Sequence, residues 1–300
     1  MIFTVTFNPA IDYVVQLDDL QPGAINRNKH EAVYFGGKGI NVSAVLRELE
    51  QPTVALGFVA GFTGEGLEKG LQEAGLRTDF IHVSQGMTRI NVKIKAGEET
   101  EINGIGPVIT AGDMEMLYAQ LDQLKKGDIL VLSGSIPSCL ESDTYERIMA
   151  YMQNREVEIV VDATGMLLMK VLKYRPFLIK PNNIELSEIF GDELTTDAQL
   201  VSCGKKLQEK GARNVLISLA GDGAMLLDEN GQVHRIGCPK GKVVNSVGAG
   251  DSMVAGFLAG WLQTGDYSHA LKLGTAAGSA TAFSLGLADR EHIDKLLQQL

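Results

Sequence analysis

The sequence predicts an α/β protein with a doubly wound, mainly parallel sheet, flanking helices and a separate small β-sheet. Three observations support this fold class. Continuous apolar runs typical of buried parallel strands alternate with segments of helical spacing. Loops rich in glycine and polar residues follow the carboxyl ends of these strands. Residues 88–95 instead alternate polar and apolar side chains, which is typical of a half-exposed strand.

The predicted strands and helices alternate along most of the chain. A hairpin follows the last parallel strand, and a short strand at Val243 and Val244 is expected before the final helices. The predicted strands cover residues 2–7, 53–60, 129–132, 157–161, 177–179 and 215–219, with the hairpin at 224–227 and 233–236. The predicted helices cover residues 65–74, 111–124, 145–153, 249–263, 267–283 and 290–299, and one more contains residues 42–49.

The chain length and charge narrow the class of protein. A chain of 300 residues is long enough for one large α/β domain, and we expect a single domain over residues 1–300. Segments at about residues 11–35 and 87–104 are too polar for central strands, so we expect them to form the small sheet as a lid. The formal net charge of −10 argues against a protein that binds nucleic acid.

Targeting signals and cysteine usage indicate a cytoplasmic protein. The chain begins with an apolar strand and lacks the basic region and cleavage site of a signal peptide. No apolar run reaches the ~20 residues that cross a membrane, so no membrane partner is expected. The three cysteines are widely separated, which does not make a disulfide framework and fits a reducing compartment.

A Gly-Ala-Gly-Asp sequence near the C-terminus carries the most informative motif. Gly248 and Gly250 allow the backbone to turn tightly and approach a ligand. The helix that follows leaves N–H groups unpaired at its positive end, so the backbone of Gly248, Ala249 and Gly250 can hold an anion. Asp251 could then accept the proton of a hydroxyl that attacks a phosphoryl group. The alternative is that Asp251 only stabilises the helix N-terminus.

A second glycine-rich stretch lies at residues 36–41, ahead of another predicted helix. Its glycines and Lys38 make an anion pocket, in which Lys38 could hold a substrate phosphate and Asn41 could bind a sugar hydroxyl. The spacing is not that of a Walker A loop. A glycine-rich helix entry with a solvated lysine explains the pattern equally well.

Other polar residues follow predicted strands or begin a predicted helix. Asp12 comes just after the first strand, at a common ligand position in open α/β sheets. Asn182 and Glu185 share a helix face, and their oxygens suit a water-rich Mg²⁺ bound to nucleotide phosphates. A capping pair explains these two residues as well. Asp162 and the glycine turn at residues 220–223 have ordinary roles in turns as their simplest explanation.

Four motifs lie in a fixed order along the chain. They are residues 6–12 (Thr-Phe-Asn-Pro-Ala-Ile-Asp), 36–42 (Gly-Gly-Lys-Gly-Ile-Asn-Val), 180–186 (Lys-Pro-Asn-Asn-Ile-Glu-Leu) and 247–252 (Val-Gly-Ala-Gly-Asp-Ser). In order and spacing they resemble the motifs of the ribokinase/PfkB family of carbohydrate kinases. Within that family the chain is similar to the branch of 1-phosphofructokinases and tagatose-6-phosphate kinases. Residues 86–93 favour the former, and Ala220 departs from the glycine usual there.

The resemblance implies a ribokinase-like fold with a β lid and a role for each candidate residue. It implies Asp251 as the catalytic base, with the backbone of Gly248, Ala249 and Gly250 as an anion hole. Around the sugar phosphate it implies Asp12, Gly37, Lys38, Asn41 and Arg89. Around the nucleotide it implies Lys180, Ser218, Gly221 and Gly223, together with Gly248 and Gly250. For Mg²⁺ it implies Asn182 and Glu185, acting through water.

The expected reaction is the ATP- and Mg²⁺-dependent phosphorylation of D-fructose 1-phosphate at O6, which gives fructose 1,6-bisphosphate. One alternative is a tagatose-6-phosphate kinase that phosphorylates O1 to give tagatose 1,6-bisphosphate. A more distant alternative is a catalytically silent sugar-phosphate sensor on the same fold, against which the intact Gly-Ala-Gly-Asp argues. The lid strands could also pair between two chains in a homodimer.

Overall fold

The computed structural model describes residues 1–191 and 193–300, and its largest element is a nine-stranded sheet. Strands are numbered along the chain. From one edge of the sheet to the other they are β13 (Val233–Ile236), β12 (Ala224–Leu227), β11 (Asn214–Ser218), β10 (Leu178–Ile179), β9 (Glu158–Asp162), β8 (Ile129–Ser133), β1 (Ile2–Thr6), β4 (Thr53–Val59) and β5 (Thr78–His82).

The connections through this sheet make it doubly wound. The strands from β11 to β5 pair in parallel, and β12 pairs antiparallel with both of its neighbours, β11 and β13. From β1 the chain proceeds to β4 and β5 on one side, and later to β8, β9, β10 and β11 on the other. The strand order therefore reverses beside β1, which is where such sheets have a crevice at their carboxyl edge. The predicted fold class is confirmed.

A second sheet has four strands. In spatial order they are β3 (His30–Gly36), β2 (Ala10–Gln16), β6 (Arg89–Ala96) and β7 (Glu98–Asn103). β2 pairs in parallel with β6 and antiparallel with β3, and β7 pairs antiparallel with β6. These strands fall largely within the segments expected to form the lid, although residues 17–29 carry no strand. The lid function and the single-domain division stay predictions.

Helices cover both faces of the large sheet. They are α1 (Lys38–Glu48), α2 (Gly61–Glu73), α3 (Ala111–Leu121), α4 (Thr144–Met152), α5 (Gly165–Val171), α6 (Asn183–Phe190), α7 (Asp197–Glu209), α8 (Ala249–Thr264), α9 (Tyr267–Ala282) and α10 (Arg290–Leu297). Side chains of α1, α8, α9 and α10 form one hydrophobic cluster, and those of α3 to α7 form another.

β8 shows why its sequence is continuously apolar. Leu130 and Leu132 belong to the cluster on one face, while Ile129 and Val131 belong to the cluster on the opposite face. Because side chains alternate along a strand, a strand covered on both faces needs apolar residues at every position. Each such side chain contributes about 1.5–3 kcal/mol through its burial.

One predicted strand is wrong, and several elements were not predicted. Val243 and Val244 lie outside any strand and are 64% and 48% exposed. The N–H of Val244 donates to the carbonyl of Ala282 at the end of α9 (2.8 Å) instead of a sheet neighbour. β5, α5 and α7 had no prediction. No helix in the described part of the chain is both long and apolar enough to cross a membrane.

Candidate active site

A cavity of about 480 Å³ opens at the carboxyl edge of the large sheet, beside β1. The segments that follow β1, β8 and β9 form its walls, and β6 of the small sheet contributes one cationic side chain. Its polar and charged lining residues are Thr6, Asn8, Lys38, Arg89, Ser133, Ser135, Ser142, Asp162 and Thr164. The cavity therefore lies at the edge where the candidate residues were expected to meet.

The N-terminus of α8 contains two glycines, and each is required for a different structural reason. Gly248 has φ 80°, and a Cβ there would lie 2.7 Å from a methyl group of Leu287. A Cβ at Gly250 would lie 3.0 Å from Nζ of Lys180, so this glycine lets an ammonium group approach the first turn. The N–H of Ala249 donates to Ser246, whereas those of Gly248, Gly250 and residue 251 have no partner in the described chain. Three of the N–H groups at this end are thus available to an anion.

Asp251 lies in the first turn of α8 and is 5% exposed. Nδ2 of Asn41 donates to its Oδ2 (2.8 Å). Burial and the nearby charge of Asp162 raise the pKa of Asp251 to about 6, against the opposing effects of Asn41, Lys38 and Lys180. A carboxylate whose pKa approaches the working pH suits general-base chemistry.

The carboxylate of Asp162 joins two lysines at the end of β9. Its Oδ2 lies 3.1 Å from Nζ of Lys38, and its Oδ1 lies 3.3 Å from Nζ of Lys180. Burial opposes the charge on Asp162, but the two lysines outweigh it and hold the pKa of Asp162 below its usual value. The side chain of Lys38 is 42% exposed and that of Lys180 is 7% exposed. Of the two ammonium groups, that of Lys38 is therefore the one that faces the cavity.

The glycine loop before α1 is packed against the end of β1. Gly37 has φ 140°, and a Cβ there would lie 2.6 Å from the methyl group of Thr6. The hydroxyl of Thr6 accepts the N–H of Ile40 (3.1 Å). This contact fixes the first turn of α1, and it places Lys38 in the cavity wall and Asn41 against Asp251.

The small sheet brings two more of the predicted residues above the cavity. Arg89 donates from Nε to the carbonyl of Asn8 (3.1 Å), and Asn91 donates to Oδ1 of Asp12 (2.8 Å). Burial lowers the pKa of Arg89, and the opposing charge of Asp12 reduces that effect. Arg89 lines the cavity, whereas Asp12 does not line it and lies next to Gly36.

Asn182 and Glu185 form a capping box at the start of α6. Oδ1 of Asn182 accepts the N–H of Glu185 (2.8 Å), and Oε2 of Glu185 accepts the N–H of Asn182 (2.9 Å). The capping role is therefore observed, while Oε1 of Glu185 has no hydrogen bond within the described chain. No cluster of three or more His, Cys, Asp or Glu side chains suited to a metal occurs among the described residues.

The predicted nucleotide residues lie at the end of β11. Ser218 is paired with Asn182 through a parallel bridge. Gly223 has φ 90°, and a Cβ there would lie 2.2 Å from the carbonyl oxygen of Ile236, so the hairpin itself requires this glycine. A Cβ at Gly221 would meet open space. Ala220 adopts φ 48°, so the left-handed turn is kept without the usual glycine.

Comparison with known proteins identifies the family. The family model described as pfkB family carbohydrate kinase matches residues 5–293. The chain belongs to the pfkB family of carbohydrate kinases. A 1-phosphofructokinase of Bacillus subtilis (strain 168) is 49% identical over 300 residues, which cover 100% of this chain and 98% of that relative. This pfkB-family kinase is therefore a phosphotransferase.

Two further similarities bear on the substrate and the fold. A D-tagatose-1-phosphate kinase of Bacillus licheniformis is 37% identical over 301 residues, which cover 100% of this chain and 98% of the relative. The crystal structure of phosphofructokinase-2 from Escherichia coli in complex with substrates and products has a TM-score of 0.91 and 27% identity. That similarity covers 99% of this chain and 98% of the other.

The predicted site residues of this kinase fall into three adjoining groups. Asp251, Asn41, Lys38 and Lys180 meet at the N-terminus of α8. Asp12 and Arg89 lie on the small sheet, and Gly37 lies between the two sheets. The third group surrounds Asn182 at the start of α6 and the end of β11, and contains Glu185, Ser218, Gly221 and Gly223.

Three residues of the cavity are undervalued or missed by the sequence patterns. The sequence alone favours a turn role for Asp162, because its lysine partners are distant in the chain. Ser133 ends β8 with a buried Oγ that has no hydrogen-bond partner, and Oδ1 of Asn8 is likewise buried without one. Both residues line the cavity. Their position at or just beyond the carboxyl ends of parallel strands was the available signal.

Proposed function

We propose that this pfkB-family kinase transfers the γ-phosphoryl group of ATP to O6 of D-fructose 1-phosphate, giving fructose 1,6-bisphosphate and ADP. The observation that carries the proposal is the buried carboxylate of Asp251 at the N-terminus of α8, hydrogen-bonded to Asn41 and close to two lysines. The 49% identity to a 1-phosphofructokinase over the whole chain supports fructose 1-phosphate as the acceptor.

In this proposal Asp251 is the general base. Its carboxylate accepts the proton of the sugar hydroxyl as the oxygen attacks phosphorus. The N–H groups of Gly248, Gly250 and Asp251 have no partner in the described chain, and we assign them to the negative charge that develops on the transferred group. The raised pKa makes Asp251 a stronger base than an exposed aspartate, and it is still mostly ionised at neutral pH.

The sugar phosphate is assigned to the cavity between the two sheets. Arg89 reaches into the cavity from the small sheet, and its planar fork suits the oxygens of a phosphate. Asp12, Gly37, Lys38 and Asn41 complete the proposed set for the sugar hydroxyls and phosphate. The cations compensate for the overall negative charge of the chain, which would otherwise repel an anionic substrate.

The nucleotide is assigned to the adjoining region at the ends of β10 and β11. Lys180, Ser218, Gly221 and Gly223 form the proposed set, with the glycines of α8. The donors of Asn182 and Glu185 are oxygens, which fit Mg²⁺ held mainly by water and phosphate, and Oε1 of Glu185 is not used by the cap. When bound, Mg²⁺ would neutralise charge on the nucleotide phosphates.

D-Tagatose 1-phosphate is a second candidate substrate, because a relative at 37% identity is a D-tagatose-1-phosphate kinase. Tagatose 6-phosphate has no such support among the relatives above. The sensor alternative requires binding without turnover, and the cluster around Asp251 argues against it because a binding module does not need a buried base.

A coupled ADP-release assay over a panel of sugar phosphates tests the proposal. The panel contains fructose 1-phosphate, fructose 6-phosphate, tagatose 1-phosphate and tagatose 6-phosphate. We expect the highest kcat/KM for fructose 1-phosphate. A higher value for either tagatose phosphate would replace the proposed substrate, and the absence of ATP turnover with every sugar phosphate of the panel would favour the sensor.

We also propose that the small sheet is a lid through which two copies pair, within a single-domain protein of the cytoplasm. The edge strands β3 and β7 each have one unpaired side. Val33, Tyr34 and Ile102 on this sheet are 54%, 44% and 59% exposed, which is apolar surface that a partner strand would cover. Cys139 and Cys238 form no disulfide, which is compatible with the cytoplasm.

A further inference from the structure

Two cations line the same cavity, but they have different neighbours. Arg89 bonds to the carbonyl of Asn8, and Asp12 is the acidic group that acts on it. These neighbours belong to the small sheet and to the loop that enters it. Arg89 therefore belongs to the lid side of the cavity, away from the N-terminus of α8.

Lys38 is tied to the opposite side. Its Nζ shares the carboxylate of Asp162 with Nζ of Lys180. Nζ of Lys180 in turn lies 3.0 Å from the position that a Cβ would take at Gly250, in the first turn of α8. A continuous chain of ion pairs thus runs from Lys38 to the helix end that carries the proposed base.

The acidic groups around Lys38 also place its ammonium group near the N-terminus of α8. Burial opposes its charge, and Asp162, Asp251 and Glu185 outweigh burial and raise the pKa of Lys38. Asp251 is the proposed base, and Glu185 belongs to the proposed nucleotide and metal group. The ammonium group of Lys38 thus lines the cavity beside Asp162, and it is close enough to the carboxylates of Asp251 and Glu185 for both to act on its charge.

We infer that Lys38 binds the phosphoryl group being transferred, that Asp162 is the positioning residue that holds it there, and that Arg89 binds the phosphate already on the sugar. This assignment rests on the proposed function and changes one part of it, because the sequence motif placed Lys38 on the resident phosphate. Lys38 has the exposure that this role needs, since its side chain is 42% exposed and lines the cavity.

The reaction step balances without a further reactant. The hydroxyl oxygen of the sugar forms a bond to the γ-phosphorus, and the bond from that phosphorus to the β–γ bridging oxygen breaks. ADP leaves with the bonding electron pair, and the hydroxyl proton moves to the carboxylate of Asp251. Lys38 changes no bond. It stabilises negative charge on the non-bridging oxygens during transfer, and loss of one such donor typically lowers kcat by about 10²–10³-fold.

The test combines two matched variants with two substrates. Lys38→Met and Arg89→Met each replace a long cationic side chain by an uncharged one. Each variant and the unmodified kinase are assayed with fructose 1-phosphate and with fructose, which lacks the resident phosphate. The ratio of kcat/KM for the two substrates measures how far the enzyme uses that phosphate, independently of the rate of transfer.

We expect Lys38→Met to lower kcat by roughly 10²-fold or more with both substrates and to leave the ratio within about threefold of the unmodified value. We expect Arg89→Met to raise KM for fructose 1-phosphate and to lower the ratio at least tenfold, because the extra phosphate loses its partner. A ratio that falls in Lys38→Met as far as in Arg89→Met would overturn the assignment.

Asp162→Asn tests the positioning role. We expect it to lower kcat without lowering the substrate ratio, and we expect the double variant with Lys38→Met to lose little beyond either single variant, because the two side chains act as one unit. Losses that multiply in the double variant would refute positioning through Lys38. Circular dichroism spectra that match the unmodified kinase show that each variant is folded.

Failure of the proposed function gives a different result. If the preferred substrate is another sugar phosphate, the same ratio is measured with that sugar and its unphosphorylated form, and the assignment of Lys38 is tested unchanged. A kinase that turns over none of the sugar phosphates contradicts the proposed function and this inference together, whereas an altered ratio in Lys38→Met contradicts the inference alone.

Discussion

Replacement of Asp251 by asparagine should make the kinase more stable while it removes turnover. The carboxylate is buried in the first turn of α8, and burial together with the charge of Asp162 raises its pKa from 3.8 to about 6. Asparagine is close in shape, stays neutral, and keeps an oxygen that can accept the hydrogen bond from Asn41. The variant therefore removes the buried charge without removing the contact.

The size of the effect follows from the difference between the folded and unfolded pKa values. A folded pKa above the unfolded one means that this carboxyl stabilises the fold fully below about pH 3.8, and that the contribution is lost as pH rises through about 6. A tenfold change in a proton-binding constant corresponds to roughly 1.36 kcal/mol. At about pH 7.5 the charged Asp251 thus costs about 3 kcal/mol of unfolding free energy, and at about pH 5 about 1.5 kcal/mol.

Urea unfolding at these two pH values measures the difference, and the coupled assay measures turnover. We expect Asp251→Asn to gain up to about 3 kcal/mol at the higher pH and about half of that at the lower one. Turnover should fall by at least about 10²–10⁴-fold. Asp79→Asn is the matched control, because Asp79 is an exposed carboxylate, and its stability should change by less than ~0.5 kcal/mol at both pH values.

Two results would refute the reasoning. An Asp251→Asn variant that is no more stable than the unmodified kinase at either pH would show that ionising the buried carboxylate costs no stability. Near-normal turnover would show that Asp251 is not the base. A gain that is equal at both pH values would separate a packing effect from the electrostatic one, because only the latter depends on pH.

Three further outcomes are expected. In a pH–rate profile, the kcat/KM of the unmodified kinase should rise with pH through about 6. Asp162→Asn should move this rise to lower pH, because the variant lacks the negative charge that repels ionised Asp251. Gly223→Ala should lower the free energy of unfolding by more than ~2 kcal/mol, as measured by urea unfolding. Gly221→Ala should leave that free energy unchanged and should raise KM for ATP, measured from initial rates, if the turn contacts the nucleotide. Val33→Glu should convert a lid-paired dimer to a monomer in light scattering, and an unmodified kinase that is already monomeric would contradict the proposed pairing.

The fold was predictable where one segment contains its own signal. β8 and the other central strands are buried on both faces, so an apolar run marks them without knowledge of their partners. α7 was not predicted, although its sequence does contain a signal. Thr196 and Gln199 form a capping box at its start. Val243 and Val244 show the opposite case, since two β-branched residues make a strand only where a neighbouring strand is free to pair.

The site was predictable as a set of positions and less so as a set of partners. Gly37, Asn41 and Asp251 could be located because a glycine-rich turn before a helix indicates an anion-binding site, and this pattern is local in the sequence. Asp162 could not be assigned, since one of its lysines lies 124 residues away and the carboxylate resembles any turn aspartate until that lysine is in place. Long-range ion pairs are a property of the folded chain.

The burial that makes α8 part of the core also sets the strength of its base. Every residue from Asp251 to Gly260 on this helix is buried, so the helix packs well only if its first turn is desolvated. Desolvation raises the pKa of Asp251, and Lys38 and Lys180 limit that rise. Weaker lysine pairing would give a stronger base that is more often protonated and more costly to ionise. Stronger pairing would give a more stable kinase with a weaker base, so stability and base strength cannot both be raised through this cluster.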